Sequence, residues 1–196
     1  MNGVVKESAL PRRLALAALA ALGVSMLAAP ASAEAIQLLF QDRDVARMVS
    51  LGGSCNRCDL SGRDLSGSTF TGASFTSATL VGANLRGAEL VGSNFSNSDF
   101  SRADMRGIEI NGANFSSSNF SNANLSGAEA RGAVFSRSNL SRVNLSGSEM
   151  VGVNMNGADL SGANLSQTEL FGANLANVNA RGASFAEAEL NASNLS

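Results

Sequence analysis

Residues 83–92 read Ala83-Asn84-Leu85-Arg86-Gly87-Ala88-Glu89-Leu90-Val91-Gly92: two tandem units, each running small, polar, large apolar, variable, glycine. Outward from this stretch the apolar residue recurs at every fifth position, from Leu60 to Leu195. These are 28 positions in one register, interrupted in character only by Ala130 and Ala180. A helix would repeat at about 3.6 residues and an ordinary strand at about 2. A period of five instead means a short unit that turns the chain by a constant angle, and so a solenoid.

A slower rhythm gives the number of units per turn. Glu89, Glu109, Glu129, Glu149, Glu169 and Glu189 each follow the last by 20 residues, as do Phe75, Phe95, Phe115 and Phe135. Residues one interval apart share an environment if they stack in adjacent coils. Four units of five then complete a coil, and the 28 units make a four-sided β-helix of about seven coils. Its length is ~34 Å if coils lie ~4.8 Å apart, as neighbouring strands do.

The unit accounts for the square section. Two residues before the centre, 14 positions are Ala and seven are Ser. Positions two apart on an extended chain share a face, so each wall turns one small and one large side chain inward. The residue between them is Asn at 12 positions, Asp at five and Glu at six, and it points out. Asn and Asp there can also hydrogen-bond the turning backbone. Burying each Leu or Phe contributes roughly 1.5–3 kcal/mol, so Ala130 and Ala180 are expected to be weak spots. Arg63 and Ile108 are large for the small inward site, and Val134 replaces an outward polar residue.

At this point the chain resembles the pentapeptide-repeat family, whose motif A-[DN]-L-x-x is met by Ala83-Asn84-Leu85, Ala123-Asn124-Leu125, Ala158-Asp159-Leu160, Ala163-Asn164-Leu165 and Ala173-Asn174-Leu175. The resemblance covers residues 58–196. It implies an all-β, right-handed quadrilateral β-helix.

The leading segment reads differently. Lys6, Arg12 and Arg13 precede an apolar run over residues 14–29, and Ala31-Ser32-Ala33 offers a small-residue cleavage site before Glu34. Residues 1–33 are therefore expected to be a secretory signal, with the run short for a membrane span. An uncleaved anchor is the alternative. After cleavage no stable membrane anchor is expected, and the protein is placed in a periplasm, the medium, or a thylakoid lumen if the source is cyanobacterial.

Residues 34–57 are expected to cap the solenoid. Ile36, Leu39, Phe40, Val45, Met48 and Val49 have helical spacing, with Asp42 or Asp44 at the helix start and Gly52-Gly53 closing it. Cys55 and Cys58 follow as Cys-x2-Cys. Export predicts a disulfide that pins the cap to the first coil, a pairing also seen in exported members of the resembled family. Redox activity, a shared metal and unpaired thiols are the alternatives. At the far end Leu175, Phe185, Leu190 and Leu195 have no visible cover, and an open edge invites pairing, so a homodimer through the C-terminal coil is expected.

Composition excludes most chemistry. Beyond residue 33 there is no Lys, His, Tyr or Trp, so general-base work near neutral pH would fall to carboxylates alone. The serines occupy repeat positions without a basic partner to activate them. The chain is read as a non-enzyme without cofactor. From Glu34 onward 15 acidic and 11 basic residues leave a net charge of −4, which disfavours nucleic acid as a partner.

The candidate interaction surface is the glutamate column, Glu89, Glu109, Glu129, Glu149, Glu169 and Glu189, together with Phe171. Arg86, Arg106 and Arg131 are expected to offset its first half. Glu149, Glu169 and Glu189 would remain as an acidic strip and a weak candidate for metal. Phe171 is expected to form an apolar stripe with Val151 and Val91. The resulting reading is an exported, non-catalytic solenoid that presents a rigid surface to an unknown protein. The resemblance implies one alternative, a DNA-mimicking topoisomerase-binding protein. A cation- or glycan-binding envelope protein is another, although the five threonines form no long file of the kind that ice-binding helices display.

Overall fold

The structure, a computed structural model, describes residues 53–196. The expected signal and the expected capping helix lie outside the described residues. Within them the chain winds as a four-sided β-helix. Each outward residue forms a parallel bridge with the residue 20 positions on, from Ser54 with Ser74 to Asn174 with Asn194. Each unit gives one residue to this ladder, and no longer strand forms among the described residues. The reason is the corner that follows every centre.

That corner is a four-residue turn, for example Ala78 N–H donating to the Phe75 carbonyl at 3.0 Å. Its third residue lies in the left-handed region in every unit, with φ +66° at Gly127 but also +58° at Ser117. Between corners the central N–H reaches one coil ahead, as Phe75 does to Asn94 at 2.7 Å, and the outward N–H one coil back, as Thr79 does to Cys58 at 2.8 Å. Backbone pairing therefore runs along the tube axis on all four sides.

We name each wall by one central residue. In chain order around the tube they are the Phe75, Leu80, Leu85 and Leu90 walls. The Leu80 wall thus faces away from the Leu90 wall. Inside, the expected phenylalanine pile is present: ring centroids are 4.6 Å apart for Phe75–Phe95, 5.6 Å for Phe95–Phe115 and 5.2 Å for Phe115–Phe135, all near parallel. A second pile on the Leu80 wall sets Phe100 on Phe120 at 4.8 Å, edge-on to the first. Aromatic pairs in such offset and edge contacts are worth more than their area alone.

Two expectations change. The ladder already includes Ser54, four residues before the expected boundary at residue 58, so Cys55 and Cys58 belong to the first described coil. They are joined, with Cα atoms 5.4 Å apart. Cys55 occupies the central site under Phe75 and Cys58 the small site under Ala78, both buried. Cys-x2-Cys is the step from one inward site to the next across a corner, so the pair staples a turn of the coil and does not tie it to a preceding cap. Ala130 is also fully buried, as is Ile108 one coil earlier in the adjacent inward column. The oversized residue and the undersized one are thus neighbours. At the other end Leu175 is buried, whereas Phe185 and Leu190 are partly exposed and Leu195 is 65% exposed.

Candidate functional site

The units centred on Phe70, Leu90, Ile110, Ala130, Met150, Leu170 and Leu190 build the Leu90 wall, and the ladder holds the six glutamates in one file along it. Glu89 bridges Glu109, and the series continues to Glu169 with Glu189. A second outward file lies beside it, two residues on: Val91, Asn111, Arg131, Val151, Phe171 and Asn191. Its order is confirmed by Gly132 N–H donating to the Val151 carbonyl and Gly152 N–H to that of Phe171, at 2.9 and 2.8 Å.

On the other three walls the outward Asn and Asp are used by the fold. Asp59, Asp99 and Asp159 accept the N–H two residues on, at 3.0, 2.8 and 3.0 Å. Asn94, Asn124 and Asn164 do the same at 3.0 to 3.1 Å. Amides also bond from coil to coil, as Asn139 does to Asn119 at 3.1 Å. A glutamate is one methylene too long to close this short ring. Among the described residues no glutamate of the file makes such a bond. These carboxylates are therefore left to solvent, to arginine and to partners.

Arginine reaches only part of the file. Arg131 clasps Glu149 with two nitrogens, Nε on Oε1 and Nη2 on Oε2, the latter at 2.7 Å. This partner lies in the next coil and is not the expected Glu129, because two outward files on one wall meet along the diagonal. Arg131 also lies within electrostatic reach of Glu129 and Glu169, and its guanidinium is held more basic than usual, chiefly by the bond to Glu149. Arg106 does not serve the file. It sits on the Leu85 wall and bonds Asp104, Nε to Oδ1 at 2.8 Å, which pulls that carboxyl below its ordinary range. Arg86 also acts on Asp104. At the near end Thr69 donates to Glu89 at 3.3 Å.

The expected strip of Glu149, Glu169 and Glu189 is accordingly interrupted, since Glu149 already has its cation. The weak metal candidate fares no better. Among the described residues no group of three or more His, Cys, Asp or Glu is placed to hold a metal ion. The expected apolar stripe is broken too: Asn111 and Arg131 separate Val91 from Val151. Val151 and Phe171 remain adjacent, with Phe171 55% exposed. The far half of the wall is therefore Phe171 with Glu169 beside it, Val151 one coil before and Glu189 one coil beyond.

Reading the sequence missed the buried hydroxyls. Ser98, Ser118 and Ser138 form an inward file whose Oγ atoms donate to the carbonyls of Phe75, Phe95 and Phe115 at 2.9, 2.8 and 2.7 Å. Ser93 bonds the Phe70 carbonyl in the same way. No buried side-chain polar atom among the described residues lacks a partner. These hydroxyls are committed to the backbone. Among the described residues no helix is long and apolar enough to cross a membrane.

A family profile described as pentapeptide repeats matches residues 54–90, 80–116, 118–157 and 158–196, in eight copies. Comparison with curated protein sequences returns no significant match. Solved structures do match. One is a trypsin-treated form of QnrB1, described as a plasmid-mediated fluoroquinolone resistance protein, with 24% identity over 69% of this chain and 79% of that chain, TM-score 0.46. A pentapeptide repeat protein from the cyanobacterium Nostoc is 32% identical over 50% of this chain and 80% of its own, TM-score 0.46. One from the thylakoid lumen of Arabidopsis thaliana is 26% identical over 56% and 70%, TM-score 0.35.

Proposed function

The chain belongs to the pentapeptide-repeat family, whose members fold as right-handed β-helices, and we propose that it acts as an exported, non-catalytic scaffold that offers the Leu90 wall to a protein partner. One observation carries this reading: among the described residues no glutamate of the Leu90 wall makes the turn-closing bond that the outward Asn and Asp make on the other three walls. An exposed phenylalanine among carboxylates completes the surface. Aromatic anchors ringed by polar groups are what interfaces concentrate. The joined cysteines support the exported half, since disulfides persist in oxidising compartments.

The DNA-mimicking alternative rests on resemblance. A single file with one carboxylate per ~4.8 Å has roughly a third of the duplex's one charge per ~1.7 Å. A homodimer through the C-terminal coil stays a proposal beside the main one, supported by the exposure of Leu195.

The test is proximity labelling in the native envelope, comparing wild type with Phe171→Ala/Glu169→Gln/Glu189→Gln. Proteins labelled by wild type and lost from the variant, at equal abundance, are the expected result. Identical labelling by the two would remove the Leu90 wall from the account. Mass spectrometry of the unreduced protein should find a chain starting at Glu34 with Cys55 and Cys58 oxidised. A full-length, reduced chain in the cytosol would end the export reading.

A further inference from the structure

The charges of this tube are separated across its section. The Leu90 wall with its two edges carries Glu187 and the six glutamates of the file against Arg86, Arg106 and Arg131. The opposite side, the Leu80 wall with its two edges, carries Arg102, Arg137, Arg142 and Arg181 at exposed positions. None of these four guanidinium groups makes an ion pair among the described residues. The aspartates on that wall, Asp59, Asp99 and Asp159, are fewer than its arginines, and Asp99 and Asp159 are each turned into the wall by a backbone N–H and an amide from the coil beyond.

We infer that a second copy of this chain is a partner of the Leu90 wall, lying side by side with parallel axis and presenting its Leu80 wall. The inference rests on the reading of the Leu90 wall as an interaction surface and gives it an occupant. Two features point to this arrangement. Opposite walls of one tube face each other in two copies related by translation alone, so no rotation is needed to bring carboxylate to guanidinium.

The axial levels agree as well. Arg102 precedes Glu109 by seven residues, and Arg181 precedes Glu189 by eight. Either offset is under half of the 20-residue coil, which is under ~2.4 Å along the axis. Copies in zero axial shift therefore set Arg102 at the level of Glu109, and Arg181 at the level of Glu189.

A contact between unlike faces does not close on itself, so repetition gives a row of tubes. Exposed ion pairs are individually weak and screened by salt. The row should therefore form at low ionic strength and high concentration, and dissolve as salt is added. It differs from end-to-end pairing through the C-terminal coil by widening the particle without lengthening it.

The experiment is small-angle scattering with sedimentation on the purified protein at roughly 0.01 M and roughly 0.5 M salt, where the screening length falls from about 30 Å to a few Å. At low salt the mean mass is expected to rise at least twofold and the cross-section to widen. Arg102→Glu/Arg181→Glu alone and Glu109→Arg/Glu189→Arg alone should each abolish the rise. Mixing these two variants should restore it, because each then supplies the wall the other needs. The circular dichroism of each variant checks its fold, and the salt response of wild type tests the idea without any substitution. No rise at low salt, a rise that survives either variant, or growth in length alone would overturn the proposal. If envelope labelling still depends on Phe171 while self-association is absent, this inference fails and the broader reading stands. Loss of both removes the surface itself.

Discussion

Ser118 Oγ donates to the Phe95 carbonyl at 2.8 Å and accepts the N–H of Ser98 at 3.2 Å. Ser138 stands in the same relation to Phe115 and Ser118. A hydroxyl thus links each coil to the next from inside, at a site where most walls carry alanine.

Replacing Ser118 with Ala should lower stability by about 1 kcal/mol, the net worth of one such bond. The loss stays small because the Phe95 carbonyl keeps its turn bond from Ser98 at 3.2 Å. Urea unfolding of the variant measures this; a loss above about 3 kcal/mol would mean that the file acts as one cooperative unit.

The periods of five and 20 made the wall assignment, the interior phenylalanine pile and the glutamate file legible from residues alone, because each follows from backbone repetition. What escaped depends on contacts between coils. Serine and alanine are equally small, so a bonded Ser118 cannot be told from a merely tolerated one. Closeness along the chain points Arg131 to Glu129, whereas two outward files meet on the diagonal, at Glu149. Val91 and Val151 share a file but are held apart by Asn111 and Arg131. Cys55 and Cys58 read in sequence as a lead into the repeat, although their spacing equals the inward step across a corner.

The corners give a second prediction. A Cβ added at Gly127 would meet nothing within 4 Å, so Gly127→Ala is opposed by its φ of +66° alone. The expected loss is about 1 kcal/mol. Ser117 adopts φ +58° with a Cβ already in place. Ser117→Gly should therefore raise stability by about 0.5–1 kcal/mol, against the usual trend for glycine. Opposite shifts of the thermal midpoint are the check, and a shift of the same sign in both would refute the backbone account.

Asp104 supplies a pH test. Its bond to Arg106 depresses the folded-state pKa below the ordinary 3.8. A depressed carboxyl stabilises the fold above its unfolded value and loses that contribution as pH falls through the folded one. Asp104→Asn keeps the turn-closing oxygen but loses the charge, so it should be less stable than wild type at pH 7. The gap should hold down to about pH 4, then narrow and close at more acid values. The pair lies at the surface, with Arg106 exposed and Asp104 half-buried, so the effect should be small and should shrink with added salt. A gap that widens toward acid would reverse the assigned sign.

Ala130 and Ile108 test whether the core compensates between coils. Taken alone, Ala130 is a missing leucine, and Ala130→Leu would fill space. The structure buries Ala130 completely, beside an Ile108 that is too large for its own small site. If the extra carbons of Ile108 occupy the room left by Ala130, then Ala130→Leu overpacks the wall and costs about 1–3 kcal/mol. Ile108→Ala alone should leave a cavity and lose about 2–5 kcal/mol. The double substitution restores the ordinary pattern of alanine beside leucine, so it should be far less harmful than the sum of the two. A double-mutant cycle by urea unfolding reads this directly, with a coupling of at least about 1 kcal/mol expected. Additive losses would show that the two residues do not share space, and Ala130 would then be a plain weak spot in its wall.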